Sequence, residues 1–491
     1  MVHPLDLGQC GGAMGTHVSP EVSRRKAPGP KGLPLLGSLP DLGRDVLGFF
    51  TQCARRYGDV VSFHLAAWPA LLLNHPDLVE YVLVKNHQNF VKHRFFWRHV
   101  EAIFGQGLLT GEGKFWHQQR RLAAPAFAAS RMNRYGDTMV QYTERMLGQW
   151  QSGQVLDVHQ EAMALTLQIA AKTLFDAETS QDVAEVSRAI DEVMEQISIR
   201  FRRPFWIPDA IPLPGNLRYR RSVQRLDQLV ARMIADRQNK SEDRGDLLSQ
   251  LTFACDEAGQ PMSVRQIRDE VITMLLAGHE TTALALSWTW YLLGLHPAAD
   301  AQLAEEAHTV LGERSPTVDD LPHLQFTEQV VSEALRLYPP AYALGREALA
   351  DCEIGGYYVP AGTTVYVSPW VMHRDPRWFP DPQSFRPERW ARNLRKKLPR
   401  FSYLPFGGGP RICIGSRFAM TEAVLILATV AQRFRLEWQT GRPVQPKPSI
   451  TLRPGGGVWV RLVSRPIEGV AREHRSGHPE LPPKGERRAD P

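Results

Sequence analysis

The stretch SVRQIRDEVITMLLAGHETTALALSWTWYLL, beginning at Ser263, constrains the fold of this chain more than any other. Ser263 followed by Gln266 forms a capping box, and the apolar pattern then runs for about 30 residues, roughly 45 Å at ~1.5 Å per residue. A helix that long crosses a large domain, and the rest of the chain must pack around it. At its middle, inside an otherwise apolar stretch, stand Gly278, His279, Glu280, Thr281 and Thr282. Mid-helix glycine costs about 1 kcal/mol, and a buried carboxylate costs far more if it lacks a partner. One reading has Glu280 facing solvent or an ion-pair partner, with Thr281 bonding back to a carbonyl one turn earlier. The other takes glycine, acid and hydroxyl together as a groove, a hydrogen-bond donor and a proton source in one place.

A chain of 491 residues with 43% hydrophobic and 22% charged residues has ample material for a large soluble core. The 58 basic and 52 acidic residues are interspersed, which argues against nucleic acid as a partner. One local basic cluster, Arg392, Arg395, Lys396, Lys397 and Arg400, suits an acidic partner. The 5 cysteines stand singly, with no C-x-x-C pair, so neither a disulfide framework nor a zinc site is expected. No window reaches the ~18 apolar residues of a membrane span, and the start lacks a signal-peptide pattern. These features predict a cytoplasmic monomer without a membrane anchor.

Residues 1–27 and 466–491 are polar and patternless and are expected to be disordered. Between them, residues 28–465 read as one large, mainly α domain with a small β region. The runs VVSFHL and ALLLN are strand-like, and long helical stretches follow to about residue 340. CEIGGYYVPAGTTVYVSP reads as a hairpin around Pro360-Ala361-Gly362, and SITLRPGGGVWVRLV as a closing hairpin.

In FGGGPRICIG, Cys413 lies in a glycine-rich loop, two residues after Arg411 and directly before an apolar helical pattern. A helix N-terminus favours a thiolate, and a thiolate is a metal ligand. A buried structural cysteine and a nucleophile activated from afar stay open as alternatives, whereas the pattern matches no phosphate loop. In TEQVVSEALRLYPP, Glu333 and Arg336 are three apart on a helix, a spacing that alone suggests a surface pair worth about 0.2–0.5 kcal/mol. Arg389 of SFRPERW is a third member if that segment folds back. In KFWHQQRRLAAPAF, Trp116 and Arg120 stand one turn apart and together suit a carboxylate.

Taken together, these residues resemble the cytochrome P-450 superfamily, from about Pro28 to Val463. FGGGPRICIG fits that family's haem-loop pattern at Phe406, Gly409, Arg411, Cys413 and Gly415. AGHETT fits its oxygen-binding helix, Glu333 and Arg336 its E-x-x-R pair, and Trp116 and Arg120 its W-x-x-x-R. The resemblance implies a triangular single domain with the long helix over haem b, and a loop left bare because a porphyrin lies against it. It also implies Cys413 as the thiolate on iron, with Trp116, Arg120, Arg346 and Arg411 on the haem propionates. Ala277 and Gly278 would form the oxygen groove, with Thr281 hydrogen-bonding O2 and Glu280 helping deliver protons. Glu333, Arg336 and Arg389 would form a structural triad.

The implied reaction is monooxygenation, hydroxylation or epoxidation, of a terpenoid, fatty acid or steroid-like molecule. Electrons would come from a separate ferredoxin or flavoprotein docking near Arg395, Lys396, Lys397 and Arg417. By the same resemblance the pocket is lined from HRFFWRHVEAIFGQGLL, RRPFWIPDAIPLP, Met274, Ala277, PPAYALG and GGGVW, with Arg94 and Arg98 as candidates for a substrate carboxylate. Two other readings stand beside it: a peroxide-driven peroxygenase or isomerase on the same haem, and a haem gas sensor that is not an enzyme.

Overall fold

The computed structural model describes residues 25–465 except 94–99, 178–182, 203–206, 209–210, 241–242, 256–258, 440 and 442. The two tails beyond it, Arg94 and Arg98 therefore lie outside the described residues. The capping box predicted at Ser263 is present: Gln266 N–H donates to Ser263 Oγ (3.2 Å), and Ser263 N–H to Gln266 Oε1 (3.0 Å). The helix it starts, Val264–Leu295, has 32 residues. It packs chiefly on Val158–Phe175, and also on Pro214–Lys240, Gln325–Leu337 and Ser416–Arg433. Helices on several sides explain why this helix lacks a clean polar face: Trp288, fully buried, stacks on Tyr338 with ring centroids 4.1 Å apart and donates its indole N–H to Leu452 O (2.9 Å).

The β region lies to the side of this helical body. Val60–Leu65 and Trp68–Leu73, both expected as strands, pair antiparallel. Trp68–Leu73 then pairs parallel with Thr364–Val367, which pairs antiparallel with Leu344–Ala348. A short strand, Phe90–Val91, completes a five-stranded sheet.

Both predicted hairpins need correction. Cys352–Ile354 does turn back, but onto Tyr357–Val359 around Gly355 and Gly356, whose φ values of +59° and +79° suit the tight turn better than Pro360 does. Past Pro360 the chain crosses to the five-stranded sheet. In the C-terminal segment, Leu452–Gly455 pairs with Gln445–Pro448, while Trp459–Ser464 lies between Val155–Asp157 and Phe434–Trp438. Leu452–Gly455 pairs just upstream, while Trp459–Ser464 goes to another sheet because Gly456 and Gly457, both at positive φ, let the chain change direction between them.

Candidate functional site

Burial along the central helix is interrupted at one place. Ala277 is exposed and Gly278 and Thr281 are half-exposed, whereas Leu275, Leu276, His279, Glu280 and Thr282 are buried. Positions i, i+1 and i+4 share one helix face, so a bare strip opens halfway along the longest helix. Thr281 Oγ1 donates to Ala277 O (2.8 Å), the back-bond expected of a mid-helix threonine. Its lone pairs stay available to accept a second hydrogen bond. A Cβ on Gly278 would meet only Ala170 and Leu174, each at 3.8 Å, so packing alone does not demand glycine there.

Cys413 lies three residues before the helix Ser416–Arg433, with exposed surface and with its N–H donating to Phe406 O (3.0 Å). Burial raises its thiol above the ordinary range, while the Gly415 N–H and the Arg120 charge pull it back toward the thiolate. The loop's bareness has a different origin from the one expected. A Cβ on Gly409 would stand 1.9 Å from Leu83 O, and one on Gly408 2.2 Å from the Phe401 ring. These two glycines are required by the protein's own packing; a Cβ on Gly407 or Gly415 would make only ordinary contacts, at 3.8 and 3.5 Å, although the φ of +71° at Gly407 favours glycine in its own right.

Beside the loop, cations gather. Arg411 lies 4.4 Å and Arg120 5.7 Å from the ring centre of buried Trp116. Arg411 Nη2 donates to Gly111 O (2.8 Å) and pairs with Glu112, but Nη1 is buried without a partner. Burial, then Arg411, hold Arg346 down at about 10. Buried Lys92 is pushed far below the ordinary lysine range by desolvation, then by Arg411 and Arg346, against the opposing pull of Glu112. Cations gathered beside Glu112 form a basic lining that suits an anionic group. Lys92 and Glu112 carry no sequence signal by spacing, and sequence reasoning missed both.

Glu333, Arg336 and Arg389 are brought together as predicted, though buried and not on the surface. Arg336 Nε and Nη2 grip Glu333 at 2.9 and 2.8 Å, Arg389 Nε adds 2.8 Å, and Trp390 Nε1 a further 2.8 Å. Arg336 Nη1 also donates to His373 O and Pro382 O, tying the helix Gln325–Leu337 to the segment before the cysteine loop.

Glu280 turns from the open strip. Its Oε1 accepts from Thr451 Oγ1 and Arg453 Nε, each at 2.8 Å, and Arg453 also reaches Asp191. Of the two sequence readings of this residue, the ion-pair partner is what the geometry provides. Arg453 sits in TLRPGGG with no periodicity to point at it. Glu422, fully buried in Ser416–Arg433 beside Thr282, has both oxygens unpaired and is pushed well above the ordinary carboxyl range by burial. A single acid within AMTEAVLILA was the available signal.

Among the described residues, no group of three or more His, Cys, Asp or Glu side chains could hold a metal ion. An exposed sulfur, a glycine-bearing bare strip and a lining of cations fit haem, whose propionates would meet that positive charge.

Fold and site together define a large, mainly helical haem enzyme. The cytochrome P-450 family profile matches residues 27–459, and the chain belongs to that family. It is 40% identical over 440 residues to the cyclooctatin synthase of Streptomyces melanosporofaciens, covering 89% of this chain and 95% of the relative. The cyclooctat-9-en-7-ol 5-monooxygenase of that organism is 38% identical over 409 residues, 83% and 88% of the two chains. The pentalenene oxygenase of Streptomyces avermitilis is 33% identical over 440 residues, 89% and 97% of the two. The chain is a cytochrome P-450 monooxygenase that uses haem and O2 on a hydrophobic substrate with redox partners. No described helix is long and apolar enough to cross a membrane.

Proposed function

We propose that this monooxygenase binds haem b through Cys413 and hydroxylates or epoxidises a terpenoid. What supports the site assignment is that Lys92, Arg346 and Arg411 gather beside Glu112, next to Arg120 and Cys413. The relatives named for cyclooctat-9-en-7-ol and pentalenene support a compact alkene or alkenol as substrate. Haem, when bound, supplies O2 activation and transfer of one oxygen atom.

The protein's own groups do the rest. Cys413 donates its sulfur; Trp116, Arg120, Arg346 and Arg411, with Lys92, hold the two carboxylates; Phe406 and Gly415 frame the loop. Ala277 and Gly278 leave room at the strip, and Thr281 holds a proton at Oγ1 where O2 is handled. Glu280 delivers protons only when its carboxylate leaves Arg453, so Arg453 sets how readily it does so. Glu333, Arg336 and Arg389 keep the loop's scaffold in place. Electrons arrive from a ferredoxin or flavoprotein at exposed Arg395, Lys396, Lys397 and Arg417. The protein works as a cytoplasmic monomer.

The deciding experiment loads purified protein with haem, records its ferrous carbonyl spectrum, and screens terpene hydrocarbons and alcohols with a surrogate ferredoxin system. The reading expects the red-displaced band of a thiolate ligand, a low- to high-spin shift with a terpene, and a product heavier by one oxygen. A normal carbonyl band, or turnover of fatty acids alone, would overturn it. Turnover with peroxide as fast as with reductase, and indifferent to Thr281→Ala, would favour the peroxygenase.

A further inference from the structure

About two turns before the open strip, the central helix carries three charged residues in a row, Arg268, Asp269 and Glu270, and all three reach the same segment. Arg268 Nη1 donates to Ile103 O (2.7 Å), Asp269 Oδ2 accepts Gln106 N–H (2.9 Å), and Glu270 Oε2 accepts Leu108 N–H (3.1 Å). Arg268 is itself held by Asp227 from the helix Pro214–Lys240 (Nε, 2.8 Å). The segment fits closely: a Cβ on Gly105 would stand 2.1 Å from the Asp269 carboxylate, and one on Gly107 2.6 Å from Thr273 Oγ1. It is braced internally by Thr110 Oγ1, which donates to Gly105 O (2.7 Å) and accepts from Gly107 N–H (3.0 Å). Its far end, Gly111 O and Glu112, is held by Arg411 of the cation cluster.

Residues 103–112 are therefore a strap bolted at one end to the helix and at the other to the cysteine loop. Glu270, Thr273, Ala277 and Thr281 follow one another at three- and four-residue steps, so they line one face of the helix. Gly107 rests on Thr273, about 6 Å along the axis from Ala277 at ~1.5 Å per residue. The strap thus forms the rim of the opening on that side.

We propose that Arg268, Asp269 and Glu270 are positioning residues that hold this strap at the rim of the Ala277–Thr281 opening and so set how bulky a molecule can pass. The proposal rests on the reading of that opening as the place where a hydrophobic substrate meets haem. Bulk discrimination follows because the strap's attachment to the helix is through backbone N–H groups on carboxylates: displacing it leaves buried acceptors and donors unpaired, a cost that a small entrant never has to meet.

The test uses the full haem-loaded chain with imidazole and 4-phenylimidazole as iron-binding probes of different size, and hydrogen exchange read over residues 103–112. Glu270→Leu removes the acceptor of the Leu108 N–H. It should raise exchange in the strap roughly tenfold and speed 4-phenylimidazole association several-fold, with imidazole changed less than about twofold. Glu270→Gln keeps an acceptor oxygen and should restore both toward wild type. Gly107→Ala, which pushes on Thr273 Oγ1 and the Asp269 carbonyl and leaves both carboxylates in place, should reproduce the Glu270→Leu behaviour and decides the matter should Glu270→Leu not fold. Unchanged strap exchange in the folded variants, or equal acceleration of both azoles, overturns the proposal. Because exchange needs no iron chemistry, a missing thiolate spectrum would sink the haem reading and leave this result standing by itself.

Discussion

Arg453 and Glu280 meet with Nε 2.8 Å from Oε1, and the same guanidinium bonds Asp191 at 3.2 Å, so one buried cation serves two carboxylates from different helices. Burial lifts the Asp191 carboxyl above its ordinary value, and Arg453 opposes that lift. Arg453→Met strands both acids and should cost about 3–5 kcal/mol at neutral pH. Without the guanidinium Asp191 loses the charge that opposes its lift, so the loss should shrink as pH falls from 8 to 5. Denaturant melts of the variant at both pH values check this; an equal loss at each would show that the acids carry no strain from losing Arg453.

Glu333 accepts from two nitrogens of Arg336, from Arg389, from Trp390 and from the Arg386 N–H. In Glu333→Gln an amide NH2 faces those donors, at a cost of about 3 kcal/mol or more. Arg336→Lys should be nearly as harmful, because a point ammonium cannot reproduce the fork that also holds His373 O, Pro382 O and Ser384 O. Thermal melting, with haem absorbance per mole of protein, should fall together in both variants.

Burial, helped by Asp269 and opposed by the Leu108 N–H, raises the Glu270 carboxyl to about 7. In the unfolded chain it titrates near 4.3. Between those values the folded state holds the proton and the unfolded state does not, so this group's stabilisation is full below about pH 4 and is lost as pH rises toward 7. Glu270→Gln should flatten that slope by an amount on the order of 1–3 kcal/mol. Chemical denaturation at half-unit pH steps would expose a slope that survives the substitution.

The cation cluster predicts opposite effects with and without haem. Lys92→Met removes a buried amine whose charge burial, Arg411 and Arg346 already disfavour, so the haem-free variant should melt at least as high as haem-free wild type. With haem bound, the variant should be the weaker, by about 1–2 kcal/mol of haem binding. Parallel melts of both forms, with haem transfer to apomyoglobin, measure the crossing; a variant weaker in both forms would argue for a purely structural lysine.

Much of this was readable before any coordinates. The cap at Ser263, the Glu333–Arg336 pair and the Cys413 loop are local patterns, and local patterns survive in a sequence; Arg389, 56 residues from Glu333, joins only through the fold. What escaped is pairing across distance: Lys92 with Arg411, Glu280 with Arg453, the 103–112 strap with Asp269 and Glu270. Nothing in TLRPGGG says that its arginine will neutralise an acid in a helix elsewhere. The glycines illustrate the same limit, since FGGGP suggests bareness but not that Leu83 O and the Phe401 ring are what require it. The hairpins were misjudged because Pro360-Ala361-Gly362 looks like a turn, although two adjacent glycines upstream already supplied one.

The separation of Glu280 from Arg453 has a consequence for synthesis. The two lie 173 residues apart in the chain. At about 5–20 residues per second, a ribosome emits Glu280 roughly 10–35 seconds before its counter-charge. During that interval the nascent helix carries an acid it cannot bury cheaply, which favours keeping its middle hydrated until the last hairpin emerges and docks.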